Sequence, residues 1–351
     1  MASTATDAVW SAQDTTPGEI EEALRHLLVE RHAESDGYVP ARVLNLVCIV
    51  DREWSGEIAN RLRRVGRYHA SRTIVCAVSE RQRTIDAVAS VAARAAPTDG
   101  HQVLTQETVI LHIGPEHLAH LETIVDPLVI TDLTTVVWAP HGHWQAVEAL
   151  RGLTQCVLLD SMDDPDVAGA LRRAQALLVQ RYVVDLAWLR STPWRERIAM
   201  VFDPPRRRQR LEQIAGLRIR NAPESGAAAL LVCGWLRSRL DWPQGQLVRN
   251  GLGSAIGSMG PVDVRLDSVA QDVPGLSGLT LQFRDGGELA LDRGRGGLHA
   301  TSRNADGTER RWTLLGASRG EGGILGEGIR QSLLRDPTYG QALDAAAAML
   351  T

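Results

Sequence analysis

Residues 42–78, "RVLNLVCIVDREWSGEIANRLRRVGRYHASRTIVCAV", set the architecture. Both ends of the stretch are near-continuous apolar runs of strand length, which suits strands covered on both faces. Between them Ile58, Leu62 and Val65 recur at helical spacing, and Gly66 stands where such a helix would end. Strand, helix and strand in that order make a βαβ unit, with parallel strands and a right-handed crossover.

The alternation continues on both sides. Ile20 to Arg31 reads as a short amphipathic helix. "RTIDAVASVAARAA" (83–96) is expected to be a second crossover helix, closed by Pro97. "QETVILHIG" (106–114) is a third strand, with a helix starting near Pro115. "TTVVWAP" (134–140) and "CVLLD" (156–160) are further strands, and "HWQAVEAL" (143–150) is helical between them. "DPDVAGALRRAQALLVQR" (164–181) is a long helix with Pro165 at its start, where proline is tolerated. From about Pro261 apolar and polar residues alternate, with turn chemistry at Asp285-Gly286-Gly287 and Asn304-Ala305-Asp306-Gly307. That pattern is an antiparallel meander with one wetted face. "GGILGEGIRQSLLR" and "PTYGQALDAAAAML" are expected to cover its other face. The expected fold is therefore α/β: an N-terminal, mostly parallel open sheet with flanking helices, followed by a smaller α+β lobe carrying an antiparallel meander. The expected division is a flexible tail over 1–18, an α/β domain over 19–240 and an α+β C-terminal domain over 241–351.

The composition narrows the chemistry. A chain of 351 residues with 44% apolar content can build two cores. All 38 basic side chains are arginine, which rules out Schiff-base lysine, a P-loop lysine and a lysine base. The net charge of −4 argues against a protein that coats nucleic acid. No apolar run reaches the ~18 residues a bilayer span requires, and the N-terminus has no basic and apolar leader, so a cytoplasmic location and no membrane partner are expected. Cys48, Cys76, Cys156 and Cys233 are widely spaced, and three of them sit in apolar strand-like runs, as small buried hydrophobes do in a reducing compartment. Cys48 and Cys76 could occupy neighbouring strands.

No residues assemble into nucleophile, base and oxyanion site. His141 and His143 follow a strand, where an α/β enzyme keeps its site, but no third metal ligand accompanies them. His112, His117 and His120 surround "HIGPEHLAH", again without a clear third ligand. "GLGSAIGSMG" has scattered glycines but opens no helix after a first strand, so it is not a dinucleotide fingerprint. No cofactor and no metal are expected.

"DLAWLRSTPWRERIAMVFD" (185–203) stands out instead. Thr192 and Pro193 open a helix, and Trp194, Ile198, Val201 and Phe202 make its apolar stripe. Arg195 falls at the third helical position, where the helix dipole disfavours a cation, so it calls for an acidic partner. From Arg181 to Arg220 there are ten arginines against four acids, dominated by "PPRRRQR". Guanidinium groups beside indoles suit phosphates, a nucleic acid or an acidic protein surface. No nucleic-acid recognition motif accompanies the charge.

This segment resembles the OpcA family of bacterial glucose-6-phosphate dehydrogenase assembly proteins, through Asp185-Leu186, Trp188, Arg190, "TPWRERIA" and the closing "FD". "RVLNLVCIV", "HASRTIVCAV" around Ser71-Arg72, "DLTTVVWAP" and "AAALLVCGWLRSRLDW" agree in order, from about residue 20 to 345. One departure is the single Trp138 in "TTVVWAP", where family members often carry two aromatic residues. The resemblance implies a non-catalytic factor that binds glucose-6-phosphate dehydrogenase and promotes its active oligomer in the oxidative pentose phosphate pathway. The expected partner-binding residues are Trp188, Arg190, Trp194, Arg195, Arg197, Arg206, Arg207 and Arg208. The competing expectation is a sugar-phosphate enzyme or sensor that uses Arg72, His141 and His143 at the carboxyl edge of the sheet.

Overall fold

The computed structural model describes residues 8–34, 38–39, 42–65, 70–95, 103–251, 253–315 and 320–350. Gly66 and Pro97, expected to end helices, lie outside the described residues. The chain divides into two compact units of similar length. One comprises Met1–Leu159, Arg181–Val184 and Leu325–Leu334, and the other Asp160–Gln180, Asp185–Ile324 and Arg335–Thr351.

The first unit is built on a nine-stranded sheet. Its strands are β1 (Ala8–Ala12), β2 (Tyr38–Val39), β3 (Leu44–Asp51), β4 (Ser71–Val78), β5 (Asp86–Ala95), β6 (Val103–Ile113), β7 (Thr134–Trp138), β8 (Cys156–Leu159) and β9 (Tyr182–Asp185). They run in the order β1-β5-β6-β4-β3-β7-β8-β9, with β2 paired to the start of β6. The β4-β6, β3-β4, β3-β7 and β7-β8 pairs are parallel. Counted from β3, the run β6-β4-β3-β7-β8-β9 has the 3-2-1-4-5-6 order of dinucleotide-binding sheets, whose ligand crevice opens where the order reverses. Here that point lies between β3 and β7. Both strands are buried almost end to end, as their unbroken apolar runs require.

Two features of this unit depart from the sequence expectation. The helix expected over 83–96 is not found over 83–95: β5 is a strand, antiparallel to both β6 and β1. Ala87, Ala89 and Val91 are buried in alternation, so period 2 prevails over alanine's helical propensity once a neighbour pairs on each side. Within the tail expected over 1–18, the described residues include a strand and the start of a helix. β1 forms the sheet edge, and α1 (Pro17–Glu34) already starts at Pro17, burying Ile20, Leu24 and Leu27. The Ser55–Val65 helix, α2, forms as expected. The segment after Pro115 becomes a 3-10 turn (Pro115–His120) and a short helix, α3 (Leu121–Val125), while α4 spans Trp144–Ala149.

The second unit centres on an eight-stranded sheet. Its helices are α5 (Val167–Gln180), α6 (Leu186–Arg190), α7 (Thr192–Phe202), α8 (Pro205–Arg208), α9 (Gly226–Arg239), α10 (Gly320–Gln331, whose last turns fall in the first unit) and α11 (Tyr339–Ala348). Its strands are β10 (Ile214–Asn221), β11 (Leu247–Arg249), β12 (Ser254–Met259), β13 (Val262–Ser268), β14 (Leu276–Phe283), β15 (Glu288–Gly294), β16 (Gly297–Arg303) and β17 (Glu309–Leu315). The order is β11-β12-β13-β10-β14-β15-β16-β17. All pairs are antiparallel except β10-β13.

The β14–β17 meander and its two turns form where the alternation placed them. The expected boundary at residue 240 is displaced, because β10 is a central strand of this second sheet, hydrogen-bonded on both edges. The helix packed on β10 is α9, which had been expected in the first domain. α11 packs on α9 and α5, and so forms the next layer instead of covering the sheet. Gly234 allows the α9–α11 approach, since a Cβ there would run into the backbone of Ala342 and Ala346.

Candidate functional site

The Asp185–Asp203 segment lies within the second unit as α6 and α7. Asp185 caps α6, accepting the Ala187 backbone N–H at 2.9 Å. It also accepts the Ser161 N–H at 3.1 Å and the Ser161 hydroxyl at 2.6 Å, and the Tyr339 hydroxyl lies 3.1 Å away. One carboxyl group thereby ties together three chain segments. Burial, together with repulsion from Asp160, pushes the Asp185 carboxyl up to about 6, against the pull of its donors. Arg190 neutralises Asp160 through a 2.6 Å ion pair in which both side chains are nearly inaccessible.

Arg195 finds the acid that its position called for inside the protein. Its guanidinium carbon lies 3.4 Å from the Trp188 ring centroid, and its nitrogens reach Ser191 Oγ at 3.1 Å and Thr192 Oγ1 at 2.9 Å. Asp336 stands 3.9 Å from Arg195 and accepts Trp188 Nε1–H at 2.8 Å. Burial pushes the Asp336 carboxyl up, but the donors from Thr338 and Trp188 and the Arg195 charge outweigh it, and its value lies below normal. Burial lowers Arg195 to about 10, which leaves it charged at neutral pH. Thr192 is not the helix cap: Ser191 holds that position, and the Thr192 hydroxyl serves Arg195 instead.

The expected partner-binding set therefore separates. Trp188 and Trp194 are each 2% exposed and Arg195 9%, so they are internal framework and not contact anchors; Arg190 is committed to Asp160. Indoles and guanidinium groups satisfy one another here, and their hot-spot composition is spent inside the fold. Arg197 is half-buried, while Arg206, Arg207 and Arg208 on the α8 turn are exposed. Arg208 leans back on Asp203 at 3.2 Å. Two other members of the arginine excess, Arg218 and Arg220, project from β10 and pair with Asp267 and Asp292.

The residues of the competing expectation do not meet. His141 and His143 lie beyond the carboxyl end of β7, with Asp51 at the end of β3. Arg72 is the second residue of β4, aligned with Asn45 and Glu107, and so lies at the amino end of the sheet. There it is buried, bonded to Glu107 at 2.7 Å and to the Leu128 carbonyl at 2.9 Å, and Arg42 holds the other Glu107 oxygen. No sugar phosphate can touch both places.

At the switch point, His143 Nε2 bonds Asp51 Oδ1 at 2.9 Å, and His141 Nδ1 accepts the Asp51 N–H at 3.0 Å. Burial holds His141 below the ordinary imidazole range, with His143 adding to the effect against the pull of Asp51. The turn after β3 is the 3-10 segment Arg52–Trp54, and Trp54 meets the His141 ring edge-on at 6.4 Å. Asp51, Glu53 and Glu57 put carboxylates at the start of α2, where a dinucleotide sheet offers backbone N–H groups to a pyrophosphate. No group of three metal-ligating side chains occurs among the described residues. His117 Nδ1 accepts the Gly114 N–H at 3.0 Å and so caps its own turn.

The cysteines behave as buried hydrophobes. Cys48 aligns with Val75 and Cys76 with Ile49 on adjacent strands, so the two thiols face opposite sides of the sheet. Burial pushes Cys76 and Cys233 up to about 12 and Cys48 well above its normal value.

Fold and site together define a two-sheet α/β protein with dinucleotide-domain topology, carrying an acid–imidazole pair and an indole at the switch point. Family models match two long stretches: residues 63–176 as a glucose-6-phosphate dehydrogenase subunit N-terminal domain, and residues 181–343 as the corresponding C-terminal domain. The chain belongs to the OpcA family. The OxPP cycle protein OpcA of Synechococcus elongatus is 30% identical over 172 residues, covering 48% of this chain and 39% of that protein. The Synechocystis protein of the same name is 26% identical over 173 residues, covering 48% and 36%. The matched stretch thus spans well under half the length of either relative. A solved dehydrogenase (MviM) from Clostridium difficile superposes with a TM-score of 0.46 at 7% identity, covering 86% of this chain and 96% of that one. No helix among the described residues is long and apolar enough to cross a membrane.

Proposed function

We propose that this chain is a non-catalytic cytoplasmic partner of glucose-6-phosphate dehydrogenase that promotes the enzyme's active oligomer in the oxidative pentose phosphate pathway. The observation that carries this reading is the pair of family matches, both described as parts of a glucose-6-phosphate dehydrogenase subunit. The carboxylates and side-chain pairs at the switch point, unsuited to a pyrophosphate, support it. Activation follows if the factor binds the active oligomer more tightly than the inactive form, because only differential affinity moves an equilibrium. The exposed Arg206, Arg207 and Arg208 would offer an acidic surface of the dehydrogenase several positive charges on one turn. Such contacts act mainly on association rate and specificity, and they weaken with salt.

The test mixes the purified chain with its cognate dehydrogenase. Co-elution at a higher mass in size-exclusion chromatography, with raised specific activity, is expected; the chain alone should turn over no glucose 6-phosphate with NADP. Independent elution with unchanged activity would refute the proposal.

A further inference from the structure

A cavity of about 220 Å³ in the second unit lies where the end of α7 and the α8 turn meet β14–β17. Three guanidinium groups line it, from Arg207, Arg210 and Arg310, and no carboxylate does. Phe283 and Trp312 supply aromatic walls: the Arg210 guanidinium carbon is 4.2 Å from the Phe283 centroid, and that of Arg310 is 5.7 Å from Trp312. Asp285 reaches Arg210 only at 3.4 Å, and Arg207 contacts the Val201 carbonyl at 3.4 Å. Arg310 makes no ion pair among the described residues.

Arg310 is exposed on the edge strand β17. On β17 it alternates with Glu309 and Arg311, and it shares the Trp312 side of the strand. It aligns with Ser302, which also lines the cavity. Arg207 and Arg310 are exposed and Arg210 half-buried, so all three guanidinium groups stay open to water or to an anion. Three guanidinium groups lining one space with no carboxylate in its wall favour an anion, and planar guanidinium forks match phosphate oxygens two at a time. Ligand pockets for drug-sized molecules run from about 300 Å³ upward, so this volume suits a small metabolite and excludes a dinucleotide.

We infer that this cavity binds a small organic phosphate. The arginines would hold the phosphate, the Ser302 hydroxyl would meet a polar group of the carbon frame, and Trp312 and Phe283 would pack on its C–H faces. The cavity shares Arg207 with the exposed α8 face, so an occupied cavity would lower the positive charge offered there. The blander alternative is that Arg310 only guards the edge strand β17 against pairing with another chain.

Isothermal titration of the full chain separates the two readings, using a hexose 6-phosphate, glycerol 3-phosphate, the unphosphorylated hexose and inorganic phosphate as probes. Saturable one-site binding of a phosphate monoester is expected, at least tenfold tighter than inorganic phosphate and with no heat from the free hexose. Arg210→Gln and Arg310→Gln should each weaken it tenfold or more, while Arg249→Gln, on an exposed strand outside the cavity, should leave it within twofold. If Arg210→Gln fails to fold, the exposed Arg310 carries the test alone. No saturable binding of any monoester, equal binding of inorganic phosphate, or unchanged affinity in folded Arg310→Gln would overturn the inference. No dehydrogenase is present in the titration, so its outcome and that of the assembly test stand apart.

Discussion

Two arginine clusters of the second unit use the same residue types to opposite ends. Around Trp188 the guanidinium groups of Arg190 and Arg195 are buried and answered by Asp160 and Asp336. On the α8 turn, Arg206, Arg207 and Arg208 are exposed, and the cavity beneath is lined by arginine without an acid. In the first cluster charge is consumed in holding α6, α7 and the segment before α11 in one arrangement. In the second, Arg208 and Arg210 meet Asp203 and Asp285 nearer the surface, and the proposed contacts would draw on the charge left over. Composition alone does not separate a structural guanidinium from a functional one; the location of the compensating carboxylate does.

The largest test of this contrast is Trp188→Ala. It opens a cavity under Arg195 and removes the N–H donor to Asp336, so a loss of about 3–5 kcal/mol is expected from urea unfolding. Arg206→Glu, on the exposed turn, should change stability by less than about 0.5 kcal/mol. A similar cost for both would erase the distinction.

A finer test uses pH. Asp185 titrates near 6 when folded and near 3.8 as a free side chain, so the native state takes up the proton first as pH falls. The stability that this group contributes is present below about pH 4 and is lost as pH rises through 6, a swing of roughly 3 kcal/mol. Asp185→Asn, always neutral, should therefore gain on the native chain across that window in urea midpoints taken at pH 4, 5, 6 and 7. Parallel curves would show that the buried carboxyl does not titrate there.

Much of this was readable in advance, and the misses have physical causes. The unbroken runs at Leu44–Asp51 and Ser71–Val78 could only be buried strands, and the alternation after Pro261 could only be a half-wetted sheet. The β5 strand was hidden because alanine suits a helix, and its pairing with β1 and β6 is a long-range fact. β10 escaped because Arg218 and Arg220 read as a charge cluster, although they are alternate outward positions of a strand whose partners Asp267 and Asp292 lie far along the chain. An acid for Arg195 was foreseeable from its place in the helix; that it would be Asp336, well over a hundred residues away, was not. The cavity had no local signature, since its arginines come from Arg207 to Arg310 and meet only in the fold.

The most direct measurement of the central claim is the affinity of folded Arg206→Glu/Arg208→Glu for the cognate dehydrogenase, beside that of the native chain at low salt. The account predicts at least a tenfold weakening, a steep loss of native affinity with added salt, and an unchanged melting temperature. Equal affinity for the two chains would contradict it and take the contact away from the α8 turn.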